Sequence, residues 1–160
     1  MARVYLSLGS NIDRHRHIRN ALHALSALFG HLVLSTVYES EAVGFEGDPF
    51  YNLVVGLDTD LSIAQLQAEI KRIEDENGRE RGGPKYSSRT LDIDILTYGD
   101  FVGVESGVEL PRDEITKNAF VLLPLSEIAA DEEHPQLHRT YRSLWESYDK
   151  SSQKLWAVQL

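Results

Sequence analysis

The chain has 160 residues, no cysteine and a formal net charge of −9, with 42% hydrophobic and 26% charged residues. That is enough for one domain, residues 1–160, with an apolar core, and the composition is that of a folding rather than a disordered chain. Disulfides, cysteine zinc sites and thiol nucleophiles are excluded, and the acidic balance argues against general binding to nucleic acid or anionic membrane.

In chain order, Val4 to Leu8 reads as a first strand ending at the turn sequence Gly9-Ser10-Asn11. The run lacks a signal peptide's long apolar stretch and no segment approaches a transmembrane length, so a cytoplasmic protein is expected. Asp13 is placed to cap a helix over Arg14 to Phe29, where Ile18, Leu22, Leu25 and Phe29 share one face and Gly30 marks the stop. Leu32 to Tyr38 predicts a second strand, Glu39 to Phe50 a loop, and Leu53 to Thr59 a third strand. Ser62 and Gln65 form a capping-box pattern ahead of a helix whose stripe is Ile63, Leu66, Ile70 and Ile73, running to about Asn77.

Gly78 to Arg89 reads GRERGGPKYSSR, in which Arg79, Arg81, Lys85 and Arg89 face a single acid, Glu80. It is a cationic, glycine-bearing loop in an acidic protein. Thr90 to Tyr98 is a strand in which Leu91, Ile93 and Ile95 alternate with Asp92 and Asp94. Beyond Gly99-Asp100, a short strand pair is expected around Gly103 and Gly107, and a helix over Phe120 to Ile128 despite Pro124. The aromatic tail Tyr141, Trp145, Tyr148 and Trp156 is expected to cover one end of the core. The order strand, helix, strand, strand, helix, strand predicts an α/β (α+β) fold. It is a ferredoxin-like split βαβ-βαβ sandwich, with helices on one face of a mixed or antiparallel sheet and additional C-terminal elements.

Asp92 and Asp94, two apart on a strand, project from the same face. Neighbouring carboxylates repel unless a cation lies between them, and magnesium takes such hard oxygen ligands while retaining waters and phosphate oxygens. The pair with the basic loop offers the metal and arginine that neutralise a nucleoside triphosphate. The same alternation also suits a half-exposed strand whose aspartates face water, and the arginines could pair with Glu74, Asp75 and Glu76. No GxxxxGK[ST], GxGxxG or HExxH sequence is present. His15, His17 and His23 have the spacing of surface or partly buried helix positions, and His31, His134 and His138 show no ligand spacing. Ser7 and Ser10 lack an identifiable base.

Taken together, YLSLGSN (5–11), FYN (50–52), RIE (72–74), SRTLDIDIL (88–96), Leu110-Pro111 and FVLLPLSEIA (120–129) resemble, in order, the 6-hydroxymethyl-7,8-dihydropterin pyrophosphokinases of folate biosynthesis. The resemblance implies transfer of pyrophosphate from ATP, the co-substrate, to the pterin hydroxymethyl oxygen with two magnesium ions, leaving AMP. It implies metal binding by Asp92 and Asp94, and catalytic and phosphate-binding roles for Arg79, Arg81 and Arg89. Glu74, Lys85 and Arg112 fall on the nucleotide side; Gly44, Phe50, Asn52 and Phe120 fall on the pterin side, with the two phenylalanines stacking on the heterocycle. Tyr86 falls where the family can place an aromatic. The chain departs from the family pattern at Ser40-Glu41, where threonine-proline is more common, at Arg112, often histidine, and at Asn118, often arginine. A related pterin phosphotransferase with altered substrate and a noncatalytic pterin- or nucleotide-binding protein are the alternatives. A monomer suffices for the whole site.

Overall fold

The computed structural model describes residues 1–42, 47–79, 89–151 and 153–160. Its elements are β1 (Ala2–Ser10), α1 (Arg14–Phe29), β2 (Val33–Leu34), β3 (Val37–Ser40), β4 (Phe50–Thr59), α2 (Ile63–Glu76) and β5 (Asp92–Tyr98). They are followed by β6 (Gly103–Glu105), β7 (Val108–Leu110), α3 (Glu114–Lys117), α4 (Ala119–Ile128), α5 (Tyr141–Glu146) and β8 (Leu155–Val158). The main sheet has the order β5-β1-β4-β3-β8, with β2 beside β3 on the same flank of β4. All its pairings are antiparallel. The expected pair around Gly103 and Gly107 is the separate β6–β7 hairpin.

Two apolar layers enclose the sheet. On one face, Val4, Leu6 and Leu8 of β1, Leu53, Val55 and Leu57 of β4, and Ile93 and Ile95 of β5 pack on Ile18, Ala21 and Leu25 of α1 and on the stripe Ile63, Leu66, Ile70, Ile73 of α2. Each large aliphatic side chain buried there contributes roughly 1.5–3 kcal/mol relative to exposure. On the other face, Tyr5, Val54 and Leu96 pack on Val121, Leu122 and Leu125 of α4 and on Tyr141 and Leu144 of α5. The expectation of helices on one face is therefore corrected. α4 is apolar around most of its circumference, with Ala119, Val121, Leu122, Pro124 and Leu125 buried, and a helix of that kind must lie against a core.

Three further differences come from side-chain and strand pairing. The second strand is broken into β2 and β3 because Ser35 turns its side chain to the sheet: its N–H donates to Val54 O and its Oγ accepts from Val54 N–H at 2.9 Å. Asp13 has φ 46° and makes no side-chain cap; its carboxylate pairs with Arg16 at 3.1 Å instead. Trp156 lies in β8, hydrogen-bonded along β3, rather than over an end of the core. The Ser62–Gln65 capping box forms as the sequence suggests.

The register between β1 and β5 shifts between Tyr5 and Leu6, so β5 carries one extra residue, Leu96. Ile93 and Ile95 enter the α1–α2 layer while Leu96 enters the α4 layer. Asp92 and Asp94 consequently stand on the α4 side of the sheet, where the N-terminal end of α4 leaves a cleft open.

Candidate active site

A row of directly paired residues crosses the sheet beneath this cleft. Gly9 of β1 is opposite Asp92 on one side and opposite Asn52 on the other, and Asn52 is opposite Tyr38. In the next row on this face, Ser7 lies between Asp94 and Val54. Gly9 keeps the floor low: a Cβ there would sit 3.4 Å from Asn52 Oδ1 and 3.7 Å from the Phe50 ring. The cleft has a volume of about 480 Å³, and its lining includes Phe50, Asn52, Phe120, Asp92, Asp94 and the cations Arg79, Arg89, Arg112 and Lys117. A second hollow of about 350 Å³, bounded by Gln67, Ile95, Gly107, Val108 and Glu109, shares Asp94, Arg112 and Asp113 with the first.

The carboxylates are held by guanidinium groups. Arg79 Nη1 donates to Asp92 Oδ1 at 2.8 Å and to Leu91 O at 3.1 Å, and lies 3.7 Å from Glu74 Oε2. Glu74 is buried near the end of α2 and accepts from the Ile93 N–H at 2.8 Å, which fixes the start of β5 against that helix. Arg112 Nη2 is 3.2 Å from Asp94 Oδ1, and its Nε is 3.6 Å from Glu114 Oε1. Burial pushes the Asp94 carboxyl well above the ordinary carboxylate range, and the Asp92 charge pushes it further; Arg112 opposes the rise, while Glu114 and Glu74 add to it. The Nε atoms of Arg79 and Arg112 are buried without a hydrogen-bond acceptor among the described residues.

Asn11 joins the two sides of the cleft. Its Nδ2 donates to Asp48 O at 3.0 Å, its Oδ1 accepts from Arg89 N–H at 2.7 Å, and its own N–H donates to Arg89 O at 3.0 Å. Arg14 lies 3.9 Å over the Tyr51 ring and donates to Pro49 O, bracing the chain that enters Phe50. Asn52 Nδ2 donates to Ser40 Oγ at 2.7 Å, which fixes the plane of the amide.

Of the residues singled out in the sequence, Arg79, Arg89, Asp92, Asp94, Arg112, Phe50, Asn52 and Phe120 converge on one cleft, with Glu74 directly behind it. Gly44, Arg81, Lys85 and Tyr86 lie outside the described residues. Sequence reasoning missed Ser7, Gly9, Ser40 and Lys117 as lining residues. The first three are small groups on β1 and β3, whose place depends on strand register; Lys117 is brought in by the short α3. His17, expected at a surface or partly buried helix position, is buried, with Nδ1 2.9 Å from Asn77 Oδ1. Among the described residues no group of three or more His, Asp or Glu side chains is arranged to hold a metal ion.

Fold and cleft define the chain as an antiparallel α/β domain that presents an acidic strand pair beneath basic side chains, beside an aromatic and amide pocket. Residues 5–130 match the family described as 7,8-dihydro-6-hydroxymethylpterin-pyrophosphokinase (HPPK), and the chain belongs to that family. The 2-amino-4-hydroxy-6-hydroxymethyldihydropteridine pyrophosphokinase of Porphyromonas gingivalis is 42% identical over 144 residues, covering 86% of this chain and 95% of that protein. The Aquifex aeolicus protein of the same name is 40% identical over 137 residues, covering 84% and 85%. Among solved structures, wild-type HPPK-DHPS of Plasmodium falciparum superposes with a TM-score of 0.70 at 18% identity, over 91% of this chain and 43% of that one. The present chain thus spans less than half of that longer protein, and the likeness is one of fold. Among the described residues no helix is long and apolar enough to cross a membrane.

Proposed function

We propose that the chain transfers the β,γ-diphosphate of ATP to the hydroxyl of 6-hydroxymethyl-7,8-dihydropterin, releasing AMP, as a single-domain monomer of the cytoplasm serving folate biosynthesis. The observation that carries this reading is the joined pair of hollows with Asp94 and Arg112 at their junction, in a chain of this family. A two-substrate transfer needs a donor space and an acceptor space meeting at the reacting atoms. Reading β2 and β3 as one interrupted strand gives the order of a ferredoxin-like split βαβ-βαβ unit, extended by β8 and the C-terminal helices.

Phe50 and Phe120 offer apolar ring faces and Asn52 an oriented amide, a set that suits a flat heterocycle with a polar edge. On the other side, Arg79, Arg89 and Arg112 suit phosphate oxygens, and the buried Nε donors of Arg79 and Arg112 have capacity for an anionic acceptor. Arg81 and Lys85 are expected to add charge to the same side, and Glu74 holds Arg79 and β5 in register.

The donor set fits magnesium. Asp92 and Asp94 are hard oxygen ligands on one face, and the raised carboxyl of Asp94 marks a place short of positive charge. With only two protein carboxylates, two ions would complete their shells with phosphate oxygens and water. Bound magnesium would supply Lewis acidity toward the phosphates and align the acceptor oxygen with them. The chain's own part is to hold that oxygen facing the β-phosphorus, to neutralise charge on the departing AMP oxygen through its arginines, and to exclude water that would compete for the phosphorus. The new bond joins the acceptor oxygen to the β-phosphorus, the α–β bridging bond breaks, and the hydroxyl proton is released.

Incubation with magnesium, ATP and the reduced pterin is expected to give AMP and pterin diphosphate in equal amounts. ADP with a monophosphorylated pterin would make the protein a different kinase. Ligand binding without product would make it a binding protein.

A further inference from the structure

The family match ends at residue 130, yet the chain beyond it touches both walls of the cleft. One wall is the Lys117–Phe120 segment at the start of α4; the other includes Ser40 at the end of β3. Gln153 reaches the first wall. Its Oε1 accepts from the Ala119 N–H at 2.6 Å, and its Nε2 lies 3.2 Å from Asn118 Oδ1 and 3.4 Å from Lys117 O. Tyr148 donates to the same Lys117 carbonyl at 2.7 Å. Two residues past Gln153 the chain becomes β8, where Leu155 pairs with Ser40, the residue whose hydroxyl orients Asn52.

α4 needs this help. Asn118, at its N-cap position, makes no side-chain cap; its carbonyl accepts from the Val121 and Leu122 N–H groups at 3.0 Å, and the Ala119 N–H, first in the helix, needs an acceptor from outside it. Gln153 supplies one from 34 residues away in sequence. The same bond fixes the helix one residue before Phe120, whose ring faces the cleft. Pro124, one turn on, has no N–H to offer the Phe120 carbonyl, so the helix's own ladder holds this turn less firmly.

We infer that Gln153 is a positioning residue for the acceptor: by capping α4 from outside it fixes the Phe120 ring at its distance from Asn52, and β8 ties that wall to the Ser40–Asn52 wall. The inference deepens the proposed function and rests on it. Gln153 touches no substrate and acts through Ala119 and Phe120.

The test measures binding of 6-hydroxymethyl-7,8-dihydropterin by its own fluorescence, with steady-state kinetics, for wild type, Gln153→Ala and Gln153→Glu. The alanine variant is expected to bind the pterin about three- to tenfold more weakly, the worth of one or two hydrogen bonds. Its KM for ATP should be unchanged. The glutamate variant keeps an acceptor for the Ala119 N–H and should recover most of the pterin affinity, which a loss of general stability would not do. Equal pterin affinity in wild type and Gln153→Ala overturns the inference, as does an equal rise in KM for both substrates. If Gln153→Ala does not fold, a Gln153→Glu variant with several-fold weaker pterin binding also overturns it. Failure of the wild type itself to bind the pterin removes the proposed function, and the inference with it.

Discussion

Asp94 stands where its charge is disfavoured. Burial and the Asp92 carboxylate both oppose ionisation, and Arg112 at 3.2 Å offsets only part of that opposition. In the proposed function a bound cation would relieve both effects. Asp94→Asn keeps the size and a partner for Arg112 while removing the charge. It is expected to melt at or above the wild-type temperature without magnesium, and to form product at least about a hundredfold more slowly. Wild-type turnover in this variant would remove Asp94 from the reaction. Gly56 shows the opposite kind of constraint: a Cβ there would come within 2.8 Å of the Tyr5 ring, so the tyrosine that donates to Glu132 across the second core needs a glycine beneath it.

At the scale of elements, regular pattern was legible and exception was not. The stripe Ile63, Leu66, Ile70, Ile73 and the Ser62–Gln65 box were readable because both depend on spacing within one helix. The Asp92–Asp94 face was readable for the same reason, since alternation is local. The break between β2 and β3 was not, because it depends on Ser35 meeting Val54 of another strand. Ser35→Ala leaves the buried Val54 N–H without that acceptor and is expected to cost about 1–3 kcal/mol in chemical denaturation. A change under a few tenths of a kcal/mol would mean the break is held by backbone alone. The placement of α4 on the far face also escaped the sequence, because an apolar helix announces burial but not the layer it joins. Glu74 was named from resemblance; its buried bond to the Ile93 N–H links α2 to β5 and belongs to no local motif.

For the whole molecule, the segment after α4 closes the second core and carries a pH-sensitive group. His134 is buried, and its Nδ1 accepts from the N–H groups of Gln136 and Leu137 at 3.2 and 3.1 Å, which places the ring proton on Nε2. Burial first, and then His138, hold this imidazole below the ordinary histidine value. The unfolded ring gains a proton near pH ~6.5 and the folded ring resists it, so this contribution to stability is present above that pH and is lost as pH falls. His134→Asn keeps an acceptor and removes the titration. Its melting temperature is expected to fall less than that of wild type between pH 7 and 5; parallel falls would assign the acid sensitivity to other groups.

The paired row of Asp92, Gly9 and Asn52 makes the sheet a ruler. Two strand spacings of about 4.8 Å, side by side, set the backbone span from Asp92 to Asn52 at roughly 10 Å. That length is written in backbone hydrogen bonds across three strands, so it stays constant whatever the segments around the cleft do. Under the proposed function, selection among acceptors would become a matter of reach. In the proposed reaction, a heterocycle seated at Asn52 would present its hydroxyl at the carboxylates only with a side arm of the right length, and a longer or shorter arm would miss the mark even with its ring bound.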